Sequence, residues 1–255
     1  MIPRTVGRRR DALVPVAILC GSFVLHAVAV HYAAGGGDNM MIRLSIVLAP
    51  LPVAAFCLVT ARHYGNSRVF GRSFLVLGAS YAAVFAGEVI FFHFVDAHGL
   101  VQFARAGEAL FLCAYVLLAI HVTINVRYFA DGFTVRQKWV LALVPALIVL
   151  AYSAMFLYNV DHAPTGPFYY NLVFVGSSSV VLALTLVAFS VFVGTAMTPA
   201  WRALLAGIAV GTVGDLAYNY AYTLDVYEFG DVSGPLWNAS HAIVIYALYL
   251  HRRSI

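Results

Sequence analysis

Glu88, Glu108, Asp215 and His241 each interrupt a long run of apolar residues. An ionisable group in such a run is costly to bury, so it is a functional candidate by default. Carboxylates in that setting can anchor the polar end of a ligand, carry a proton, or act as a pair to activate water. The spacing around Asp215 adds to this. Gly207, Gly211 and Asp215 recur every fourth residue and so share one helix face. The two glycines let a neighbouring helix approach closely. Tyr218, Asn219 and Tyr222 continue the polar stripe, and the next apolar run carries Trp237, Asn238 and His241. One pocket is expected, lined by Glu88, Glu108, Asp215, Tyr218, Asn219, Tyr222, Asn238 and His241.

Simpler roles compete for several of these side chains. Glu108 can pair with Arg105, one helical turn away. Intramembrane histidines such as His26, His93 and His121 can serve as helix-to-helix hydrogen-bonding groups, and Tyr227 and Trp237 can belong to an interfacial aromatic belt. Glu88 and Asp215 resist that reading, since neither has a basic residue within a turn.

Absent patterns narrow the chemistry further. There is no HExxH, GxSxG, CxxC or Walker loop. The only lysine, Lys138, stands at a helix start, so no retinal Schiff base can form in a late helix. Cys20, Cys57 and Cys113 fall inside apolar runs without paired spacing and read as packing residues. No spacing among His26, His31, His93, His121 and His241 selects a haem-ligating pair, so no metal site is expected and any cofactor is undetermined.

The elements that must hold these residues follow from composition. The chain has 255 residues, 62% hydrophobic and 10% charged, whereas an ordinary soluble domain carries about 25% charged residues. A spanning helix needs about 20 apolar residues. Such runs lie near 11–33, 42–62, 73–95, 103–125, 138–159, 170–194, 202–224 and 234–251. Turn-forming or charged residues separate them, including Gly35-Gly36-Gly37-Asp38, Asp96 to Gly99, Asp161 to Pro167, and Asp225 to Gly234. These connections leave no room for a soluble catalytic domain or a nucleic-acid-binding module. The first run follows Arg8-Arg9-Arg10 and carries Ala27-Val28-Ala29, which mimics a cleavage site. It exceeds the roughly 7–15 apolar residues of a secretion signal and is read as the first span.

Basic residues set the orientation. With a cytoplasmic N-terminus, the inner segments hold Arg4, Arg8, Arg9, Arg10, Arg62, Arg68, Arg72, Arg127, Arg136, Lys138, Arg202, Arg252 and Arg253, leaving only Arg43 and Arg105 outside. The net charge of +4 thus reports topology and requires no nucleic-acid partner. In this frame the pocket candidates lie in the outer half of the membrane.

A shift of 127 residues superposes the run starts without gaps and brings Leu77 onto Leu204, Ala82 onto Ala209, Gly87 onto Gly214, and Gly107 onto Gly234. It also places Glu88 on Asp215. The expectation is an all-α integral membrane protein of eight transmembrane helices. They form a single domain of two parallel four-helix repeats, about 11–127 and 138–254, with both termini cytoplasmic.

Two resemblances can be read on these residues. Gly214-Asp215-Leu216-Ala217-Tyr218, through Gly234-Pro235-Leu236-Trp237 to His251-Arg252-Arg253, resembles the eight-helix sensor regions found ahead of prokaryotic histidine kinases and diguanylate cyclases. Gly87-Glu88 through Gly107-Glu108-Ala109-Leu110 looks like their first-half counterpart. The chain departs from the pattern at Gly234, where a second acid is usual, and carries no output domain before Ile255. The resemblance therefore implies signalling through a separate partner. Gly87-Glu88 and Gly214-Asp215 also resemble the acids of lysoplasmalogenase-like membrane hydrolases, which implies Glu88 and Asp215 as a catalytic pair acting on a lipid. The histidine expected in the helix after the first acid is missing, unless His241 replaces it.

The function expected is a multi-pass cell-membrane sensor or binding module. Its ligand would be a membrane lipid or an apolar or amphipathic small molecule. The alternatives are an acid-pair lipid hydrolase, or a proton-coupled transporter or accessory subunit of a membrane complex.

Overall fold

In the computed structural model, residues 5–34, 40–65, 67, 69–159, 166–228 and 230–254 are described. The loop Gly35-Gly36-Gly37-Asp38, the segment from Asp161 to residue 165, and Arg4 and Arg68 lie outside them. The described residues form α-helices and no strands: α1 Thr5–Ala34, α2 Met40–Leu48, α3 Pro50–His63, α4 Phe70–Val89, α5 Ala104–Phe129, α6 Val135–Asn159, α7 Gly166–Phe192, α8 Thr198–Thr223 and α9 Ser233–Arg253. Only helices of this kind satisfy every backbone group within one segment in lipid.

Among the described residues, seven helical segments are long and apolar enough to cross a bilayer, with α2 and α3 counted as one path from Met40 to His63. That path is interrupted at Ala49, because Pro50 has no N–H to continue the ladder. Ala49 still donates to the Ser45 carbonyl at 3.2 Å, so the direction persists across the break. The remaining helix, α9, has 21 residues, but His251, Arg252 and Arg253 in its last turn make it more polar. These segments mark a multi-pass membrane protein.

The pairwise packing defines a ring. Helix α3 packs on α4, α4 on α5, α5 on α7, α7 on α8, α8 on α9, and α9 back on α3. Helices α1 and α6 lie outside it, α1 mainly on α9 and α6 mainly on α7. Many of their apolar side chains face outward, with Leu25 73% and Leu150 64% exposed, while Tyr152 and Phe156 of α6 are buried. Such exposure is expected where the solvent is lipid.

Glycines decide how closely the ring helices meet. A Cβ on Gly207 would lie 2.9 Å from Val244 Cγ2, and one on Gly211 would lie 2.8 Å from Ser240 Oγ, so α9 lies in the glycine groove of α8. On the other side of the ring, Gly87 receives Phe111 and Gly107 receives Phe91.

Towards the end of the ring where α9 finishes, the interior is closely packed around one small cavity. Tyr64, Phe70 and Phe74 surround His251, and the Tyr64 hydroxyl pairs with His251 Nδ1 at 2.6 Å. His121 Nδ1 lies 2.7 Å from Ser73 Oγ, and Asn125 Nδ2 donates to the same hydroxyl. At the other end the ring opens.

Candidate functional site

A chamber of about 550 Å³ lies inside the ring, between α4 and α8. That volume falls within the roughly 300–1,000 Å³ of small-molecule pockets. Glu88 enters it from α4, Glu108 and Tyr115 from α5, Tyr170 and Ser178 from α7, Asp215, Tyr218, Asn219 and Tyr222 from α8, and Trp237 and His241 from α9. Arg43 and Ile46 of α2 complete one wall. Among the described residues, α1, α3 and α6 contribute nothing to the lining.

Asp215 is held through both carboxylate oxygens. The Tyr115 hydroxyl donates to Oδ2 at 2.8 Å, and Trp237 Nε1 donates to Oδ1 at 3.0 Å. The donors come from α5 and α9, so one carboxylate ties three ring helices together. Gly214 makes the second bond possible. A Cβ there would stand 2.9 Å from Trp237 Cδ1, in the space the indole occupies. Glycine before an acid therefore has a physical meaning here: it seats an aromatic ring from the following helix against the carboxylate level. Gly87 does the same for Phe111 beside Glu88, with a Cβ placed 2.7 Å from Phe111 Cε1.

Glu88 is half-buried, faces the chamber, and lies within electrostatic reach of Tyr218, as does Glu108. Tyr218 is itself packed among Trp237, Tyr222 and Tyr227, with ring centroids 5.3, 5.7 and 4.8 Å away. Glu108 accepts a hydrogen bond from Tyr170 of α7, and Arg105 stands near the same tyrosine. His241 projects from α9 with its ring edge against Tyr81, 5.6 Å between centroids, and its Nδ1 has no hydrogen-bond partner.

Seven of the eight expected pocket residues thus meet in one chamber. Asn238 does not. Its Nδ2 donates to Ser45 Oγ of α2 at 3.0 Å, so it braces α9 against α2 outside the lining. Asn219 faces the chamber, yet its Nδ2 donates to the Asp215 carbonyl at 2.7 Å, which leaves it a supporting part. Of the other histidines, His26 Nε2 lies 3.1 Å from the Gly230 carbonyl, and His93 packs on His98.

Tyr115, Trp237 and Arg43 escaped the sequence reading as site residues. Tyr115 had a legible signal, because Glu108, Phe111 and Tyr115 follow an i, i+3, i+7 stripe on one face of α5. Arg43 had a weaker one, as one of only two basic residues assigned to the outer side. Nothing in the spacing distinguishes Trp237 from a belt residue.

The chamber has a floor. Ser80 and Tyr81 line it, but one turn earlier on α4 Leu77 is fully buried, and one turn below Ile208 on α8 Leu204 is buried as well. Leu77 and Leu204 instead line a separate cavity of about 20 Å³, beside His121, Trp201 and His251. An apolar layer therefore divides the polar chamber from the polar cluster at the far end.

Fold and site together define a multi-pass, all-α membrane protein with an acid-lined intramembrane chamber. No family model, curated protein or solved structure matches the chain.

Proposed function

We propose that the protein is a membrane sensor or binding module, whose chamber takes an apolar or amphipathic small molecule or a membrane lipid from the outer side. The observation that carries this reading is the meeting of Glu88, Glu108 and Asp215, from distant parts of the chain, around one pocket-sized space rather than in a solid interior. Glu88 and Asp215 act as polar anchors, and the tyrosine and phenylalanine walls receive the apolar part of the ligand. Occupancy shifts how the ring helices pack, and that population shift is passed to a separate signalling partner.

The parallel four-plus-four repeat belongs to the same proposal. Helices α6, α7, α8 and α9 begin close to 127 residues after α1, α2, α4 and α5. The ring contacts pair off likewise: α3–α9 answers α7–α5, and α4–α5 answers α8–α9. The peripheral helices break the pattern, since α1 sits on α9 while α6 sits on α7. The arginine distribution supports cytoplasmic termini and an outward chamber in the cell membrane.

Two observations favour binding over the alternatives. Both oxygens of Asp215 already accept a hydrogen bond, from Tyr115 and Trp237, which suits an anchor better than a base that must bind and activate water. The apolar floor below Ser80 and Ile208 interrupts the path that proton-coupled transport needs.

Native mass spectrometry of the protein released from its own membrane tests the proposal. A retained small molecule or lipid is expected, with its loss in a folded Asp215→Asn variant. Release of an empty wild-type protein, or retention unchanged in Asp215→Asn, overturns it.

A further inference from the structure

The chamber's charge is unbalanced. Three acids line it, Glu88, Glu108 and Asp215, and among the described lining residues Arg43 is the only cationic side chain. Arg105 stands beside the Tyr170 from which Glu108 accepts, and counts together with Arg43. With the acids ionised and His241 neutral, three negative charges less two positive leave a formal −1. In a membrane interior such an excess is expensive unless a carboxyl takes up a proton or something positive shares the space. The donors that reach Asp215 and Glu108, namely Tyr115, Trp237, Ser178 and Tyr170, are neutral and leave that sum unchanged.

The arrangement of rings points the same way. Tyr218 stands within electrostatic reach of both Glu88 and Glu108 and packs on Trp237, Tyr222 and Tyr227. Carboxylates beside clustered aromatic faces form the setting in which an ammonium group gains both ion pairing and cation–π attraction. Deeper in, Phe174, Val181 and Leu118 offer an apolar recess. His241 lines the same chamber, with its Nδ1 buried and without a hydrogen-bond partner.

We infer that the chamber selects a net-positive amphiphile: an amine or quaternary ammonium held near Glu88, Glu108 and Tyr218, with its apolar body in the recess. This inference rests on the binding proposal above and names its ligand class. It also sets a limit, because a zwitterionic phospholipid would bring a phosphate towards the same acids and lose the advantage of its ammonium.

The test uses the full chain in nanodiscs and three chain-matched probes below their micellar concentrations: decyltrimethylammonium, decylphosphocholine and decanol. Binding is read from tryptophan fluorescence, with empty discs setting the partition background. Decyltrimethylammonium is expected to bind at least about tenfold more tightly than either other probe, a ratio corresponding to about 1.4 kcal/mol. A Glu88→Gln/Glu108→Gln double variant is expected to lose most of that preference while still binding decanol. Equal saturable binding of ammonium and decanol, or tighter binding of the phosphocholine, overturns the charge selectivity and leaves the chamber as a binding site. If none of the three saturates above empty discs, the binding proposal itself fails. The wild-type comparison stands without the variant, so misfolding of the double variant does not blunt it.

Discussion

Trp237 Nε1 donates to Asp215 Oδ1 across 3.0 Å, and the bond exists because residue 214 has no side chain to keep the indole away. Two consequences follow for Gly214→Ala. The added methyl needs space already filled by the ring, and overpacking of this kind costs about 1–3 kcal/mol. That outweighs the roughly 0.4–1 kcal/mol that Gly→Ala commonly contributes by restricting the unfolded chain. Thermal unfolding in detergent is expected to show Gly214→Ala less stable than wild type, with the Trp237 emission shifted. An unchanged midpoint and unchanged emission would contradict the seating argument.

Trp237→Phe keeps a ring over Gly214 and removes only the donor. A hydrogen bond to a charged group contributes about 1.5–3 kcal/mol, so a loss of that order is expected. Tyr115→Phe should behave alike, since its hydroxyl serves the other oxygen of the same carboxylate. Because the two donors share one acceptor, the double variant is expected to depart from the sum of the singles. Strict additivity in a double-mutant cycle would show that they act independently.

Val84 lines the chamber from α4, one turn before Glu88. A Val84→Trp substitution places an indole in open volume rather than in packed core. It is expected to abolish retention of the bound molecule in native mass spectrometry while leaving the unfolding midpoint within a few degrees of wild type. Full retention would mean that the ligand sits elsewhere.

The polar cluster at the far end of the ring is expected to matter for stability and not for binding. Ser73 Oγ meets both His121 Nδ1 and Asn125 Nδ2, and all three residues are buried. Ser73→Ala removes one contact from each partner, while His121 Nδ1 keeps the Ser73 carbonyl and Asn125 Nδ2 keeps the His121 carbonyl, so a cost of about 0.5–1.5 kcal/mol is expected. Denaturation should register the loss, with probe affinity at the chamber unchanged; a fall in affinity without a fall in stability would reverse the assignment.

Orientation can be checked at two turns. Asp131 lies between α5 and α6, and Asp225 follows α8 in a left-handed backbone conformation at φ 57°. In a background with Cys20, Cys57 and Cys113 changed to serine, Asp225→Cys should react with an impermeant maleimide added to intact cells. Asp131→Cys should react only after the membrane is opened. The opposite labelling pattern inverts the topology and turns the chamber mouth to the cytoplasm.

Span positions were readable from residue order, because a bilayer imposes one length on every segment that crosses it. The runs near 103–125 and 138–159 became Ala104–Phe129 and Val135–Asn159. Glu88, Glu108 and Asp215 could be identified as a pocket set for a related reason: in hydrocarbon a carboxyl group needs polar company, and the helix period tells which neighbours share its face. Residue order could not say which distant helix supplies that company. Asn238 and Trp237 are adjacent on α9 and both polar-tipped, yet one turns to Ser45 and the other to Asp215. The rotation of α9 against Gly207, Gly211 and Gly214 decides between them, and that rotation is set by contacts between segments far apart in the chain. The same holds for Tyr115 and Arg43, which reach the chamber only once α5 meets α7 and α2 meets α4. Hydropathy acts along the chain; the fit of one helix into another's groove acts between chain segments, and the tertiary structure alone decided it.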